Sequence, residues 1–161
     1  METPLQIRLA AADDATRILD LLSQLAAFEG EPGCVVMDEA TLNRDAFGPA
    51  PRIEVLLAEI DGAICGMLIL YQSYSSWRGA PALAIHDLFV EEMARGSGAG
   101  KALVKEAAKM ALARGACRLD VNVLGWNEPA QKFYESLGFS ALAAWVPHRL
   151  ADEAMLRLAQ G

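Results

Sequence analysis

The segment Val90-Glu91-Glu92-Met93-Ala94-Arg95-Gly96-Ser97-Gly98-Ala99-Gly100-Lys101, in which three glycines follow an apolar run, decides the fold. The apolar run, Pro81–Val90, has the composition of a buried strand. Beyond the glycines, apolar residues recur at helical spacing from Gly98 to Arg114, and Gly115 stands where a helix commonly ends. The segment is therefore predicted to join a strand to an amphipathic helix.

The glycine-rich turn is suited to bind a phosphate group. A helix N-terminus carries unpaired N–H groups and a partial positive charge, and glycines let a phosphate approach the backbone. We expect this turn to hold a pyrophosphate; a plain flexible turn into a helix is the alternative. The turn lacks the Gly-Lys-Ser/Thr ending of a P-loop and the tight early turn of a dinucleotide-binding unit, so ATP and NAD are disfavoured.

The residues before this segment predict three strands and two helices. Ile18, Leu21, Leu22 and Leu25 have helical spacing after a capping Asp13 or Asp14. Asp61-Gly62 is a strong hairpin signal between two β-rich runs, which are therefore expected to pair antiparallel. In order, the predicted elements are a strand at Gln6–Leu9, a helix ending near Phe28, a short helix at Asp38–Phe47, and strands at Ile53–Ile60 and Ala63–Tyr74.

The residues after Gly115 predict further strands and helices. They are a strand at Cys117–Val123, a helix from Glu128 to Leu137, a strand from Phe139, another near His148–Ala151 and a short terminal helix. The strand–helix–strand unit between Leu83 and Val123 implies a parallel pair. The chain thus reads β-α-α-β-β-β-α-β-α-β before its last residues.

A second chemistry-bearing segment runs from Trp126 to Phe139. Asn127 can cap a helix, Pro129 is tolerated in its first turn, and Gly138 can take the left-handed conformation that ends it. Ala130, Phe133, Tyr134 and Leu137 share one face of that helix. Tyr134 is therefore either a core residue or a phenol at a functional site.

Composition limits the class of protein. A chain of 161 residues is long enough for one core, and its net charge of −7 disfavours nucleic acid as a partner. Cys34, Cys65 and Cys117 are odd in number and have no CxxC spacing, so neither a disulfide framework nor a zinc site is expected. No leader-like start and no long apolar run is present, which predicts a cytoplasmic protein without membrane attachment.

The two segments together resemble the GNAT acetyltransferase superfamily. The shared pattern is a strand, Arg-x-x-Gly-x-Gly, a helix, a strand and then Asn-x-x-Ala-x-x-x-Tyr-x-x-x-Gly-Phe. The resemblance implies one α/β (α+β) domain over residues 1–161, with a mixed six- to seven-stranded sheet splayed between its fourth and fifth strands and about four helices. It also implies acetyl-CoA as cosubstrate, no metal, and a homodimer.

By this resemblance, residues in three places would bind acetyl-CoA. The strand would pair with the pantetheine arm, the glycine loop would bind the pyrophosphate, and the start of the later helix would lie beside the sulfur. Tyr134 would stand next to the thioester as the catalytic residue. The implied cofactor-binding residues are Leu88, Phe89, Val90, Arg95, Gly96, Ser97, Gly98, Ala99, Gly100, Lys101, Asn127, Glu128, Pro129, Ala130 and Tyr134.

A closer resemblance is to the diamine (spermidine/spermine) and thialysine acetyltransferase family. It rests on Ala26-Ala27-Phe28-Glu29, Ser76-Trp77-Arg78-Gly79, Asp87-Leu88-Phe89-Val90 and, most specifically, Trp126-Asn127-Glu128-Pro129. It implies substrate contacts from Phe28, Glu29, His86, Asp120, Val121 and Asn122, with Glu29 and Asp120 supplying carboxylates for an ammonium group. The chain departs from the polyamine enzymes, which carry a carboxylate in place of His86 and a tyrosine in place of Phe28.

The expected activity is acetylation of a primary amine on a small cationic molecule such as a polyamine or thialysine. The amine would attack the thioester directly, with Tyr134 as general acid and a backbone N–H near Leu88 polarising the carbonyl. The base is His86 or a water held by Glu29 or Asp120; the alternative for His86 is a solvent-facing strand histidine. Two alternatives remain open: a peptide or protein N-acetyltransferase, and an acetyl-CoA-binding module without turnover.

Overall fold

The computed structural model of the protein describes residues 4–161, which contain five strands and five α-helices. The strands are β1 (Gln6–Leu9), β2 (Glu54–Ile60), β3 (Ala63–Ser75), β4 (Ala80–Val90) and β5 (Leu119–Val121). The helices are α1 (Ala15–Phe28), α2 (Glu39–Phe47), α3 (Ala99–Ala113), α4 (Glu128–Ser136) and α5 (Asp152–Gln160). They fall into two compact units, which divide between Asn122 and Val123.

The first unit contains one mixed sheet with the strands in sequence order. Each of β1 to β3 pairs antiparallel with the next strand, whereas β4 and β5 are parallel. Helix α3 supplies the crossover that a parallel pair requires. The predicted antiparallel hairpin and the predicted parallel pair are both confirmed.

Helices cover both faces of this sheet. The core on one face joins Ile18 and Leu21 of α1 and Leu42 of α2 to Leu57 and Phe89 of the strands. Leu56, Leu68 and Leu70 point to the other face because successive side chains alternate along a strand, and α3 packs on the sheet with Leu103 buried. Full burial of a leucine is worth about 1.5–3 kcal/mol, so Leu103 contributes to holding α3 on the sheet.

The ends of the first helices follow from local hydrogen bonds. Asp38 caps α2, since its carboxylate accepts a bond from the N–H of Thr41 at 2.8 Å. Asp14 precedes α1 but makes no such bond to it. Its carboxylate instead accepts from Arg8 and from the N–H of Ala11, so it ties α1 to β1.

The β2–β3 turn has the backbone that its sequence predicts. Asp61 and Gly62 both have positive φ, at 56° and 75°, which is the requirement of a type I′ hairpin turn.

The strand count of six to seven was wrong for the described residues, where the sheet has five strands. The strands expected from Phe139 and near His148–Ala151 are irregular backbone. The N–H of Phe139 bonds to the carbonyl of Tyr134, so it completes the end of α4 and is not available to a ladder. The terminal helix that was expected after them is α5. Within residues 4–161 no helix is long and apolar enough to cross a membrane.

Candidate active site

The glycine loop between β4 and α3 has the backbone that phosphate binding requires. Gly96 and Gly98 have φ of 80° and 88°, a region that side chains disfavour. An added Cβ at either position would meet no atom within 4 Å, so glycine is needed here for its φ while the space above it is open. The first helical bond of α3 is donated by Ala102, which leaves the N–H groups of Gly100 and Lys101 directed out of the helix end.

Strands β4 and β5 separate soon after they meet. Their ladder joins only Leu83–Ile85 to Leu119–Val121, whereas β4 continues to Val90. Among the described strands, none pairs with Leu88–Val90 on the β5 side of the sheet. The splay that the family resemblance implied is therefore present, and the backbone assigned to the pantetheine arm lies along it.

A β-bulge marks the point of separation. In the β3–β4 ladder Ile69 is opposite Asp87 and Leu70 is opposite Ile85, so His86 is an extra residue with no counterpart on β3. A bulge bends and twists the strand that carries it. β5 ends at Val121, opposite Ile85 and beside this bulge, so it is shorter than the predicted strand Cys117–Val123.

One face of the sheet carries a group of polar side chains, which we term the carboxylate face. Asp87 lies opposite Ile69, which belongs to the core that α1 covers. Asp120 lies opposite Ala84, and Ala84 lies opposite Tyr71. Because strand partners point to the same face, Asp87, Asp120 and Tyr71 all point to the face that α1 covers. The Nδ1 atom of His86 is 3.0 Å from a carboxylate oxygen of Asp87, and its ring centroid is 6.2 Å from that of Tyr71. The carboxylate face comprises Glu29, Tyr71, His86, Asp87 and Asp120.

Glu29 is held at this face by the end of α1. The N–H of Gly30 bonds to Ala27 and that of Glu31 to Ala26, and Gly30 has a φ of 83°, which together form a helix-terminating motif. Partial burial raises the pKa of the Glu29 carboxyl, and the negative charge of Asp87 raises it further. The two carboxylates therefore repel each other, and a cation between them would relieve that repulsion.

The other predicted substrate contacts have different surroundings. Asp120 forms an ion pair with Arg118 at 2.7 Å, so part of its charge is already balanced. Val121 lies opposite Ile85 and so belongs to the opposite face from Asp120, and Asn122 is exposed where the first unit ends. Asp87 and Tyr71 were not among the predicted site residues. Asp87 follows His86 in β4, and Tyr71 lies on the neighbouring strand β3, so both belong to this group. The only signal was strand alternation, and the bulge at His86 hides it.

Arg95 connects the glycine loop to the end of α1. Its Nε donates a hydrogen bond to the carbonyl of Val90 at 3.2 Å. Its guanidinium carbon lies 5.2 Å from the ring centroid of Phe28 and 6.0 Å from that of Phe89. A residue assigned to the cosubstrate and one assigned to the amine are thus in contact.

The second unit carries the remaining predicted residues. Asn127 caps α4, since its Oδ1 accepts from the N–H of Ala130 at 3.2 Å, and Glu128 and Pro129 form the first turn. Tyr134 is buried, and its ring packs edge-on against Phe133 and Phe139 at centroid distances of 5.1 and 5.2 Å. These two contacts hold the phenol ring in a defined orientation within its own unit.

Cys65 is not suited to act as a nucleophile. Cys65 is buried in β3, and burial raises the pKa of its thiol, which disfavours the reactive thiolate. In the part of the chain that the structure describes, no three His, Cys, Asp or Glu side chains are grouped closely enough to hold a metal ion.

Comparisons with known proteins bear on this site. The Acetyltransferase (GNAT) family matches residues 18–139. A thialysine N-epsilon-acetyltransferase of Bos taurus is 35% identical and is covered over 96% of its length by 95% of this chain. An L-ornithine N5-acetyltransferase of Arabidopsis thaliana is 26% identical over 93% of this chain and 86% of its own.

Solved structures share the fold. An integron cassette protein from the mobile metagenome of V. cholerae superposes with a TM-score of 0.81 and 23% identity over 98% of both chains. An aminoglycoside acetyltransferase from a soil metagenome, in complex with trehalose, gives a TM-score of 0.79 and 21% identity over 92% of this chain and 97% of its own. The match across residues 18–139, together with the 35% identity to a relative over nearly the whole chain, shows that this protein belongs to the GNAT family and is an N-acetyltransferase.

Proposed function

We propose that residues 1–161 act as one domain that transfers an acetyl group from acetyl-CoA to a primary amine of a small cationic molecule. The observation that carries this proposal is the repulsion between Glu29, at the end of α1, and Asp87, on the strand that leads into the glycine loop. An ammonium group satisfies both carboxylates at once, whereas an anionic or apolar acceptor leaves them unbalanced.

The family relatives support an amine of this kind. They include thialysine and L-ornithine acetyltransferases, and both of those substrates carry a side-chain amine. In this chain His86 stands beside Asp87 where the polyamine enzymes carry a carboxylate. We therefore favour a thialysine-like acceptor with one ammonium at the carboxylate face over a long polyamine.

We further propose how the residues divide the chemistry. Acetyl-CoA supplies an activated thioester. The amides of the glycine loop bind the diphosphate, and a backbone N–H near Leu88 polarises the carbonyl. His86, or a water held by Glu29 or Asp120, takes a proton from the ammonium, and the Oη of Tyr134 donates a proton to the departing thiolate. The amine attacks directly, so no acyl group is carried by the protein.

The activity is tested with a panel of thialysine, lysine, ornithine, polyamines, aminoglycosides and peptides. We expect release of free thiol from acetyl-CoA with the small dibasic amines, measured with a thiol reagent, and none in reactions without amine. Faster reaction with peptides than with every small amine would instead favour a peptide N-acetyltransferase. CoA binding without thiol release for any acceptor would mean that the chain is a binding module.

Tyr134→Phe tests the general acid. Because general acid catalysis contributes about 10²–10⁴-fold, we expect kcat to fall at least about a hundredfold while the KM for acetyl-CoA changes little. Tyr74→Phe, at an exposed tyrosine of β3, is the matched control and should keep the wild-type rate. Unchanged turnover in Tyr134→Phe would remove this role and leave the phenol as a packing residue.

Glu29→Gln and Asp87→Asn test the carboxylate face. Each variant removes one charge-assisted contact to the ammonium, so we expect the KM of the best amine to rise about tenfold. The KM of acetyl-CoA should stay unchanged. Glu31→Gln, two residues beyond Glu29 and exposed, is the matched control. If all three variants have the same amine KM, the amine does not bind at this face.

We also propose that the chain forms a homodimer and acts in the cytoplasm. The three free thiols support a reducing compartment. All large apolar side chains in residues 142–158 are exposed, which is typical of a surface that a partner covers. The exposed side chains are Leu142, Trp145, Val146, Leu150, Met155, Leu156 and Leu158.

Trp145→Ser tests the dimer. Light scattering of the unmodified chain should give twice its 17.3 kDa mass, and the variant should shift toward the single mass on dilution. Trp77→Ser replaces another exposed tryptophan, in the turn between β3 and β4, and should remain dimeric. A single mass for the unmodified chain at every concentration would contradict the proposal.

A further inference from the structure

The stack of Arg95 on Phe28 joins two regions that have separate tasks in the proposed function. Arg95 belongs to the glycine loop, whereas Phe28 ends α1 immediately before Glu29. We propose that this stack is a positioning device, through which the side chain at residue 28 sets the affinity of the loop for the diphosphate of CoA. The inference rests on the proposed function, because it takes the loop to be the diphosphate site.

The geometry leaves Arg95 available to an anion while it is stacked. A guanidinium uses its face for an aromatic ring and its edge for hydrogen bonds. In Arg95 the face lies over Phe28, and Nε donates to the carbonyl of Val90. The two terminal nitrogens, which have no hydrogen-bond acceptor among residues 4–161, remain to bind phosphate oxygens. The stack therefore restricts the long arginine side chain before the ligand arrives.

Phe89 is a second aromatic residue near the guanidinium of Arg95. Its ring is 6.0 Å from the same guanidinium carbon, and it is buried in the core that holds α1 to the sheet. Phe28 is half-exposed and so is not required for that core. A change at Phe28 thus alters the surroundings of Arg95 with little effect on the packing of the sheet.

The consequence is a link between the two substrates. Glu29 follows Phe28 in the chain and is fixed by the same helix end, so whatever orders Phe28 also orders the carboxylate that faces the amine. Binding free energies at coupled sites are reciprocal. A substitution at the amine end of α1 should therefore change the affinity for CoA, although it removes no group that contacts CoA.

The test is a double-mutant cycle of Phe28→Leu and Arg95→Met, with CoA affinity measured by calorimetry. A cation–π contact at an exposed position corresponds to a factor of about two to five in affinity. We expect Phe28→Leu to weaken CoA binding by about that factor in the native background and to have no effect in Arg95→Met. Phe28→Tyr keeps an aromatic face and should restore native affinity, which a loss of fold at this position would not allow.

Controls separate the outcomes. In Arg78→Met, which removes an exposed arginine from the β3–β4 turn, Phe28→Leu should still weaken binding. Equal effects of Phe28→Leu with and without Arg95, or no effect at all, would overturn the inference while leaving the proposed function intact. Failure of the unmodified chain to bind CoA would instead overturn the proposed function and this inference with it.

Discussion

The arrangement of the first unit depends on β4, whose two edges pair over very different lengths. This strand pairs with β3 over its whole length, yet it pairs with β5 over only three residues. The extra residue His86 makes this possible, because a bulge lets β4 keep its ladder with β3 while it bends away from β5. A regular strand at this position would continue the parallel ladder and close the opening along Leu88–Val90. Unpaired backbone N–H and C=O groups along Leu88–Val90 cost free energy, and a ligand that binds there can satisfy them.

The same bulge shapes the electrostatics of the site. By adding one residue it places His86 beside Asp87, so that an imidazole and a carboxylate share the face that α1 covers. Glu29 reaches this face from the helix end, and its pKa is raised by partial burial and by Asp87. A raised carboxyl pKa means that the charged form is less favoured than in a free carboxyl group. Under the proposed function, an ammonium ligand would relieve this repulsion, and the relief would add to its binding free energy.

Local patterns explain which parts were predictable. The hairpin turn at Asp61-Gly62, the short helix that starts at Asp38 and the glycine loop each depend on a few neighbouring residues, and each was found where expected. The cap expected from Asp13 or Asp14 on the first helix was wrong, because the Asp14 carboxylate accepts bonds from Arg8 and Ala11 and none from that helix. Asp87 could not be assigned in this way, because its partner Glu29 is distant in sequence and the bulge breaks the strand alternation. The prediction of strands after Phe139 was wrong for a related reason. Apolar residues satisfy a strand pattern, but a strand also needs a neighbour with free backbone groups.

The charge balance of the carboxylate face restricts the acceptor that it can favour. Two unit charges 4 Å apart interact by roughly 4 kcal/mol at an effective dielectric of 20, so each fixed carboxylate near an ammonium matters. Asp120 is already paired with Arg118, and His86 adds no fixed negative charge. Glu29 and Asp87 remain, and their charges interact, since the negative charge of Asp87 raises the pKa of Glu29. A polyamine carries further ammonium groups along its length, and this face has no equal number of unbalanced carboxylates to receive them. Under the proposed function, the histidine at residue 86 would therefore favour acceptors with fewer charges.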